Sequence, residues 1–368
     1  MYNLSYWERE YKKHYDFIII GAGIVGLTTA INIKKNSPKS SVLIVEQGII
    51  PMGATTKNAG FACVGSASEI MADMRVIGEE NAIQQVKNRY EGLQELLKLV
   101  NKKEIQFKDK GNYEILTKNN MDVMDHLSYL NSQLKDIFNE NIFTEVSIQN
   151  CFTHKVKNVI LNKFEGELNS ALLHCQLSDL AVSLGIEFKY GTKVLSIDEE
   201  VNTETYSFKF GKVAVCSNAY TSLLLPEYNI KSGRGQVLIY NGIELRDLDA
   251  PCHYDAGFYY FRPIEHNRLL IGGGRNINFN AETTTHLINS NEIVNGIKEA
   301  IHQLFTTIHS NSRVEYSWAG VMGFSPNKKP IIENVPNRKN VFIGFACNGM
   351  GVALGAKAGK DLARIMNE

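Results

Sequence analysis

Residues 15–26, Tyr-Asp-Phe-Ile-Ile-Ile-Gly-Ala-Gly-Ile-Val-Gly, decide the fold of this chain. The apolar run at 17–20 predicts a buried parallel strand, and Gly21, Gly23 and Gly26 follow it at the spacing of a dinucleotide-binding turn. The first glycine permits a sharp bend, the second leaves room for a pyrophosphate, and the third lets the next helix pack closely on the strand. The N-terminal amides of that helix would then face the phosphates.

An acid follows this turn at the distance that a ribose contact requires. Residues 41–46, Ser-Val-Leu-Ile-Val-Glu, predict a second strand that ends in Glu46. This carboxylate lies about 20 residues past the last glycine, where it can accept hydrogen bonds from both hydroxyls of an adenosine ribose. Strand, turn, helix and acid occur in the right order, so the sequence predicts that the chain binds a dinucleotide.

Composition limits the possible partners and compartments. The chain has 368 residues, enough for about two domains, and its 39 Lys and Arg balance its 39 Asp and Glu. Nucleic acid is therefore not an expected partner. No apolar run approaches the roughly 20 residues of a membrane helix, and the polar N-terminal segment lacks the apolar core of a signal peptide. These features predict a cytoplasmic protein without an integral membrane segment. The six cysteines and nine histidines show no metal-ligand spacing, so no metal is expected.

The order of predicted elements indicates an α/β fold with two domains. A helix with an apolar stripe is predicted over 83–100, a hairpin of two strands over 104–116, and another helix over 119–138. We predict a Rossmann-like dinucleotide-binding domain and a second, mixed-sheet α+β domain. The first domain is predicted to comprise residues 1–86, 147–227 and 313–368, and the second residues 87–146 and 228–312.

The C-terminal part repeats the strand, glycine turn and helix. Residues 341–355, Val-Phe-Ile-Gly-Phe-Ala-Cys-Asn-Gly-Met-Gly-Val-Ala-Leu-Gly, predict a buried strand that leads into a last helix ending near Met366. The N-terminus of this helix would offer amides and a positive dipole to an anion or an electron-rich carbonyl.

Several segments together resemble a known family. The N-terminal turn, the small-residue loop 54–60, Gly191-Thr-Lys-Val194, Cys216-Ser-Asn-Ala-Tyr220, Trp318-Ala-Gly320 and the segment 344–355 keep their order along essentially the whole chain. The chain thereby resembles the D-amino-acid oxidase superfamily of FAD-dependent oxidoreductases, and is most similar to its glycine and sarcosine oxidase branch.

This resemblance implies that the dinucleotide-binding domain is an FAD-binding domain, which holds FAD in an extended pose, and that the second domain is a substrate domain. The adenosine would lie on residues 21–46 and the pyrophosphate near Thr55 and Thr56. The isoalloxazine would lie between residues 57–61 and 349–352. The residues expected to bind the cofactor are Gly21, Gly23, Ile24, Val25, Gly26, Glu46, Gln47, Thr55, Thr56, Asn58, Ala59, Gly60, Val194, Cys216, Ser217, Asn218, Gly320, Asn348, Gly349, Met350, Gly351 and Val352.

The resemblance also implies a reaction, the oxidation of an amine or amino-acid C–N bond to an imine by hydride transfer to flavin N5. The family arginine that binds a substrate carboxylate corresponds to Cys347, so that clamp is missing there. Arg262 could replace it, or could be a surface arginine at a strand end. Tyr260 and its neighbour Tyr259 must point to opposite faces of their strand, so at most one of them lines the pocket.

Two further features concern the flavin itself. No cysteine lies between Cys252 and Cys347, where sarcosine oxidases attach their flavin covalently, so we expect non-covalent FAD. Lys57 replaces an arginine common in the flavin-side loop and would keep positive charge near the ring. The sequence leaves open whether oxygen or another electron acceptor reoxidises the flavin. It therefore also leaves open whether the protein is an oxidase or a dehydrogenase. A catalytically silent flavoprotein binding module, and an NAD-dependent dehydrogenase sharing only the first fingerprint, are the alternatives to an amine oxidoreductase.

Overall fold

The structure of the chain, a computed structural model, describes residues 5–7, 13–265, 267–326, 328–345 and 347–368. The strands are β1 (His14–Ile20), β2 (Val42–Val45), β3 (Phe61–Ala62), β4 (Asn112–Thr117), β5 (Phe143–Val146), β6 (Val156–Asn162), β7 (Gly166–Glu167), β8 (Glu187–Lys189), β9 (Val194–Ile197), β10 (Glu200–Thr203), β11 (Ser207–Val215), β12 (Lys231–Ile243), β13 (Cys252–Tyr254), β14 (Tyr259–Glu265), β15 (Arg268–Gly273), β16 (Ile308–Phe324), β17 (Ile331–Asn334) and β18 (Val341–Phe345). The helices are α1 (Ile24–Asn36), α2 (Ala54–Lys57), α3 (Ala67–Ile77), α4 (Glu79–Leu99), α5 (Asp122–Phe138), α6 (Ser170–Ser183), α7 (Asn291–Leu304) and α8 (Gly351–Asn367).

The first sheet carries the dinucleotide fingerprint. Its main path runs β17-β18-β11-β1-β2-β8, and β10 and β9 extend from β11. Strand β1 pairs in parallel with both β2 and β11, which places the fingerprint turn at the middle of the sheet. The four residues of β2 are all buried, as expected for a parallel strand covered on both faces. This arrangement confirms the Rossmann-like fold that the sequence predicts.

The second sheet is mixed and holds most of the middle of the chain. Its order is β16-β12-β15-β14-β13-β4-β6-β5, in which β13 and β4 are parallel and the other neighbours antiparallel. The long strand β16 pairs with β12 from Phe324 to Ile308. Helix α7 packs its buried face on β15 and β12. A small third sheet pairs β3 with β7.

Helices α1 and α8 pack against each other more closely than side chains would normally allow. A Cβ at Gly359 would lie 2.0 Å from Thr28 Oγ1, and a Cβ at Gly355 would lie 2.4 Å from Ile24 Cγ2. The Thr28 hydroxyl donates to the Gly355 carbonyl at 3.1 Å. The two glycines, one helical turn apart, therefore let α1 and α8 pack directly against each other.

The structure corrects one prediction and qualifies another. The hairpin over 104–116 is wrong, because Lys108 exchanges backbone hydrogen bonds with Glu167 instead of pairing with β4. Strand β6 lies in the second sheet, and so does the whole of β16, although the predicted boundaries assign 147–227 and 313–368 to the FAD-binding domain. The boundaries themselves stay a prediction. Within the described residues, no helix is long and apolar enough to cross a membrane.

Candidate functional site

One large cavity, of about 970 Å³, is lined by residues from both large sheets. The lining includes the glycine turn after β1, from the first sheet, and residues of β12, β14 and β16, from the second. Apolar surface predominates along its wall. Cavities of this size lie at the upper end of the roughly 300–1,000 Å³ found for ligand sites.

The fingerprint turn has the geometry of a phosphate cradle. Gly21 has φ +108°, and a Cβ there would lie 2.7 Å from the Cys216 carbonyl oxygen. A Cβ at Gly26 would lie only 2.0 Å from the Gly21 carbonyl oxygen, so this glycine sets the distance between α1 and β1. A Cβ at Gly23 would meet only the Thr55 hydroxyl, at 3.2 Å. Gly23 therefore leaves open space on the cavity side, while Gly26 serves helix packing.

The Glu46 carboxylate lies beside this turn. Its Oε2 accepts the Ala22 amide and its Oε1 accepts the Gly48 amide, both at 2.9 Å. These two bonds fix the carboxylate at the end of β2, where it lines the cavity with free lone pairs. The position is the one that a ribose-binding acid requires.

The small-residue loop contributes a hydroxyl and a lysine. Thr55 Oγ1 accepts the Ile24 amide at 3.0 Å, so the Thr55 hydroxyl proton is left to donate into the cavity. The Lys57 carbonyl accepts the Trp318 indole N–H at 2.9 Å, and a Cβ at Gly320 would lie 2.8 Å from Lys57 Cβ. The backbone of Lys57 is thus held against β16, and its side chain lines the cavity.

The C-terminal turn also lines the cavity. Asn348 and Gly349 have φ values of +43° and +94°, and they precede Met350, the N-cap of α8. Asn348 Oδ1 accepts the Ser325 amide at 2.8 Å. Asn348 Nδ2 is buried without a hydrogen-bond partner in the part of the chain that the structure describes. A buried donor of this kind indicates a missing acceptor, which a ligand would supply.

The structure brings most of the predicted site residues to this cavity. Tyr260 lines it, whereas Tyr259 packs in the core of the second sheet, so the two tyrosines do face opposite ways. Burial raises the pKa of the Tyr260 hydroxyl to about 12, which keeps it protonated as a hydrogen-bond donor. The predicted site residues that line the cavity are Lys57, Tyr260, Gly21, Gly23, Ile24, Val25, Glu46, Gln47, Thr55, Asn58, Ala59, Val194, Cys216, Ser217, Asn218, Gly320, Asn348, Gly349, Met350, Gly351 and Val352.

Four predicted residues do not line the cavity. Gly26 and Gly60 approach neighbouring backbone, and the Thr56 hydroxyl donates to the Pro51 carbonyl at 3.0 Å. Arg262 Nη1 lies 2.9 Å from Glu167 Oε2, and its Nη2 donates to the Leu168 carbonyl at 3.2 Å. The Arg262 guanidinium is therefore engaged in a buried ion pair and is not available to a substrate in the cavity.

Several cavity residues were not predicted from the sequence. His253 lies on β13, and its Nε2 is 3.8 Å from Glu165 Oε2. Burial acts to lower the pKa of His253, but interactions with Cys63 and Glu165 outweigh it and raise the pKa well above the usual value. Arg275, Lys328 and Glu69 also line the cavity. Only Arg275 had a signal in the sequence, since it directly follows the three glycines at the end of β15.

Comparisons with known proteins agree with this geometry. A family model described as "FAD dependent oxidoreductase" matches residues 16–365. The probable oxidoreductase OrdL of Haemophilus influenzae is 21% identical over 387 residues, which cover 95% of this chain and 82% of that protein.

Two solved structures share the fold at low sequence identity. Glycine oxidase from Geobacillus kaustophilus has a TM-score of 0.76 at 18% identity, covering 97% of this chain and 95% of that chain. L-proline dehydrogenase from P. horikoshii also has a TM-score of 0.76, at 16% identity, covering 96% of this chain and 93% of that chain. At these identities the likeness shows a common fold.

Proposed function

The chain belongs to the FAD dependent oxidoreductase family, and we propose that it oxidises the C–N bond of an amine or amino acid to an imine. The observation that carries the proposal is one continuous cavity, which joins the glycine turn to an end lined by Tyr260, His253 and Arg275. A dinucleotide can occupy the first part, and a small polar substrate the second. The family match identifies FAD rather than NAD as the cofactor, which excludes the alternative of an NAD-dependent dehydrogenase.

The residues of the cavity fit FAD. The open cradle at Gly23, the Glu46 carboxylate and the Thr55 hydroxyl suit a pyrophosphate and a ribose. The unpartnered Asn348 Nδ2 and the first amides of α8 suit an electron-rich carbonyl edge. We propose that FAD is held without a covalent bond, because no cysteine lies between Cys252 and Cys347.

Oxidation of an amine to an imine requires an oxidant, and FAD is the oxidant in the proposed reaction. When bound, FAD accepts the hydride that leaves the carbon next to nitrogen. The substrate nitrogen loses a proton, the C=N bond forms, and water then hydrolyses the imine to a carbonyl compound and ammonia or an amine. The apolar wall disfavours the charged ammonium form of the substrate, which favours the neutral amine that reacts. Lys57 would supply positive charge close to Gly320, and the Tyr260 hydroxyl would orient the substrate.

Anaerobic mixing with a panel of amines and amino acids tests this proposal. Purified protein with FAD bound should lose its flavin absorbance with at least one member of the panel, and the solution should then contain the carbonyl product. Photoreduction of the same sample is the control that the flavin can accept electrons. A flavin that photoreduces normally and is reduced by no amine would favour the silent binding module instead.

The form of FAD attachment needs its own measurement. Acid precipitation should leave yellow FAD in the supernatant, and a yellow pellet would contradict non-covalent binding. Reoxidation rates of the reduced flavin will decide whether the electron acceptor is oxygen or another compound. The cytoplasmic location also remains a prediction.

A further inference from the structure

One buried histidine of the cavity wall lies beside a buried carboxylate. His253, on β13, lines the cavity, although only 6% of its surface is exposed. Neither of its ring nitrogens has a hydrogen-bond partner among the described residues. Its Nε2 lies 3.8 Å from Glu165 Oε2, and a Cβ at Gly257, another residue of the wall, would lie 4.0 Å from its Nδ1. Nε2 is therefore turned toward Glu165, which leaves Nδ1 for a group in the cavity.

The Glu165 carboxylate is held in place by the backbone. Its Oε1 accepts the amides of Val64 and Gly65 at 2.6 and 2.7 Å. Its Oε2 is buried and has no hydrogen-bond partner in the part of the chain that the structure describes. The distance from Oε2 to His253 Nε2 is longer than a hydrogen bond, but such contacts often shorten when a ligand binds. Glu165 can therefore orient the imidazole and stabilise its charged form.

The other titratable groups near His253 do not take the place of Glu165. They are Cys63 after β3, Glu69 on α3, Glu114 on β4 and Tyr260 on β14. Burial raises the pKa of the Cys63 thiol and of the Glu114 carboxyl, and Glu69 Oε1 lies 3.2 Å from Arg89. Glu165 is thus the carboxylate that remains to pair with a charged His253.

His253 and Tyr260 border the same part of the cavity. They are direct partners in the antiparallel pairing of β13 with β14, so they share one face of the sheet with their Cβ atoms about 5 Å apart. The ring of Phe61 packs on both, with centroid distances of 5.3 Å to His253 and 5.6 Å to Tyr260. All three residues line the cavity. A small molecule bound at the Tyr260 hydroxyl therefore lies next to His253.

We propose that His253 accepts the proton that the ammonium group of the substrate must lose before oxidation. This role rests on the proposed function, which makes the substrate an amine. In the step, an N–H bond of the ammonium breaks and an Nδ1–H bond forms. The products are a neutral amine and an imidazolium that Glu165 stabilises, and the imidazolium later gives the proton to water. A base that is itself oriented by a carboxylate is a common arrangement in enzymes.

This role predicts how the rate depends on pH. His253 can accept a proton only in its neutral form. Burial acts to lower the pKa of His253, but the interactions with Cys63 and Glu165 raise it well above the usual value. At saturating amine, the rate of flavin reduction should therefore increase as the pH rises through this raised pKa. The increase should occur at a higher pH than an ordinary histidine would give.

Anaerobic stopped flow over a range of pH tests the prediction on the FAD-loaded protein, with an amine that reduces it. His253→Gln should remove the pH-dependent increase and slow reduction at alkaline pH by about 100- to 10,000-fold. Glu165→Gln still accepts the two amides but lacks the charge, so it should keep the increase and move it to lower pH. His126→Gln, at an exposed histidine of α5, is the matched control and should behave as the wild type does.

Chemical rescue separates a proton acceptor from a residue that only fills space. His253→Ala removes the ring from the cavity wall, and added imidazoles should restore flavin reduction. Among methylimidazoles of equal size, the rescued rate should rise with the pKa of the added base. A purely structural role predicts equal rescue by all of them.

A titration with tert-butylamine reports on His253 without any oxidation, because the carbon next to its nitrogen carries no hydrogen. The NMR signal of the His253 ring in histidine-labelled, FAD-loaded protein is assigned by its absence from His253→Gln. At a pH where His253 is neutral, tert-butylamine should move this signal toward the imidazolium form. Uncharged tert-butanol should leave it unchanged, and an ammonium that kept its proton would instead favour the neutral ring.

The outcomes distinguish the role of His253 from the proposed function. If no amine reduces the flavin, the proposed function fails, while the tert-butylamine titration still reports on His253. An unchanged pH profile in His253→Gln, rescue that does not depend on the pKa of the base, or a His253 signal that does not move toward the imidazolium form would overturn the proposal. If His253→Gln does not retain FAD, the shift of the pH profile in Glu165→Gln decides instead.

Discussion

Replacing Gly23 by alanine should impair FAD binding, whereas replacing Gly26 by alanine should impair the stability of the fold. A methyl group at Gly23 would meet only the Thr55 hydroxyl at 3.2 Å, and the backbone there, with φ −78°, suits any residue. A methyl group at Gly26 would lie 2.0 Å from the Gly21 carbonyl oxygen, so strand and helix must separate. The first change should therefore affect the cofactor, and the second the fold.

The magnitudes follow from these contacts. Gly23 is the N-cap of α1, and alanine is a poorer cap, so Gly23→Ala should destabilise the apoprotein by less than about 1 kcal/mol. The same methyl group would hold the pyrophosphate away from the helix amides. Loss of one charge-assisted hydrogen bond, about 1.5–3 kcal/mol, corresponds to a weaker FAD affinity by about 10- to 100-fold. Gly26→Ala overpacks a tight contact and should cost the apoprotein about 1–3 kcal/mol or more.

Two measurements on each variant separate the effects. Denaturant unfolding of the apoproteins gives the change in stability, and fluorescence titration with FAD gives the change in affinity. The reasoning is refuted if Gly23→Ala binds FAD as tightly as the wild type. It is equally refuted if the Gly26→Ala apoprotein is as stable as the wild type, because the 2.0 Å contact would then be relieved at no cost.

Three further outcomes are expected. Glu46→Ala should weaken FAD binding by about 1–3 kcal/mol in a titration, and unchanged retention would mean that this carboxylate is not the ribose ligand. If the protein is an oxidase, Lys57→Met should slow reoxidation of the photoreduced flavin by about 10- to 1000-fold in stopped flow; fast reoxidation in both proteins would remove Lys57 from the mechanism. Arg234→Met should destabilise the protein by about 3–5 kcal/mol near neutral pH, because Glu282 would stay buried and charged without its partner. Burial acts to raise the pKa of Glu282, but the hydrogen bonds from Arg234 and Gln236 outweigh burial and lower the pKa. The ion pair therefore contributes stability that is lost as the pH falls. In unfolding experiments, the difference in stability between Arg234→Met and the wild type should narrow in acid.

The first βαβ unit could be predicted because its chemistry is local. Gly26 contacts the Gly21 carbonyl, which lies only five residues earlier, so the spacing of these two glycines in the sequence already contains the geometry. The alternation of Tyr259 and Tyr260 is likewise a property of any strand. Such features depend on neighbours along the chain, which the sequence displays directly.

The substrate end could not be predicted in the same way. The sequence does not tell Arg262 from Arg275, although the structure places Arg262 in the middle of β14 and Arg275 two residues after the end of β15. Their difference is that Glu167 pairs with Arg262, whereas Glu282 pairs with Arg234 and leaves Arg275 unsatisfied. The predicted hairpin at 104–116 was wrong for a related reason, because a distant segment competes for its backbone hydrogen bonds. These roles depend on which residues pair across the fold, and the spacing of residues along the chain does not show that pairing.

The contact of α1 with α8 through Gly355 and Gly359 also determines when, during synthesis on the ribosome, the cofactor site can be completed. Thr28 and the Gly355 carbonyl, which bond across this contact, are 327 residues apart in the chain. The cradle for the cofactor emerges first during translation, yet the helix that braces it emerges last. Cofactor loading should thus follow release of the finished chain, and nascent chains stalled before the last helix should not retain FAD in a fluorescence assay. Until then, the flank of α1 that carries Ile24 and Thr28 stays exposed, because Gly355 and Gly359 of α8 cover it.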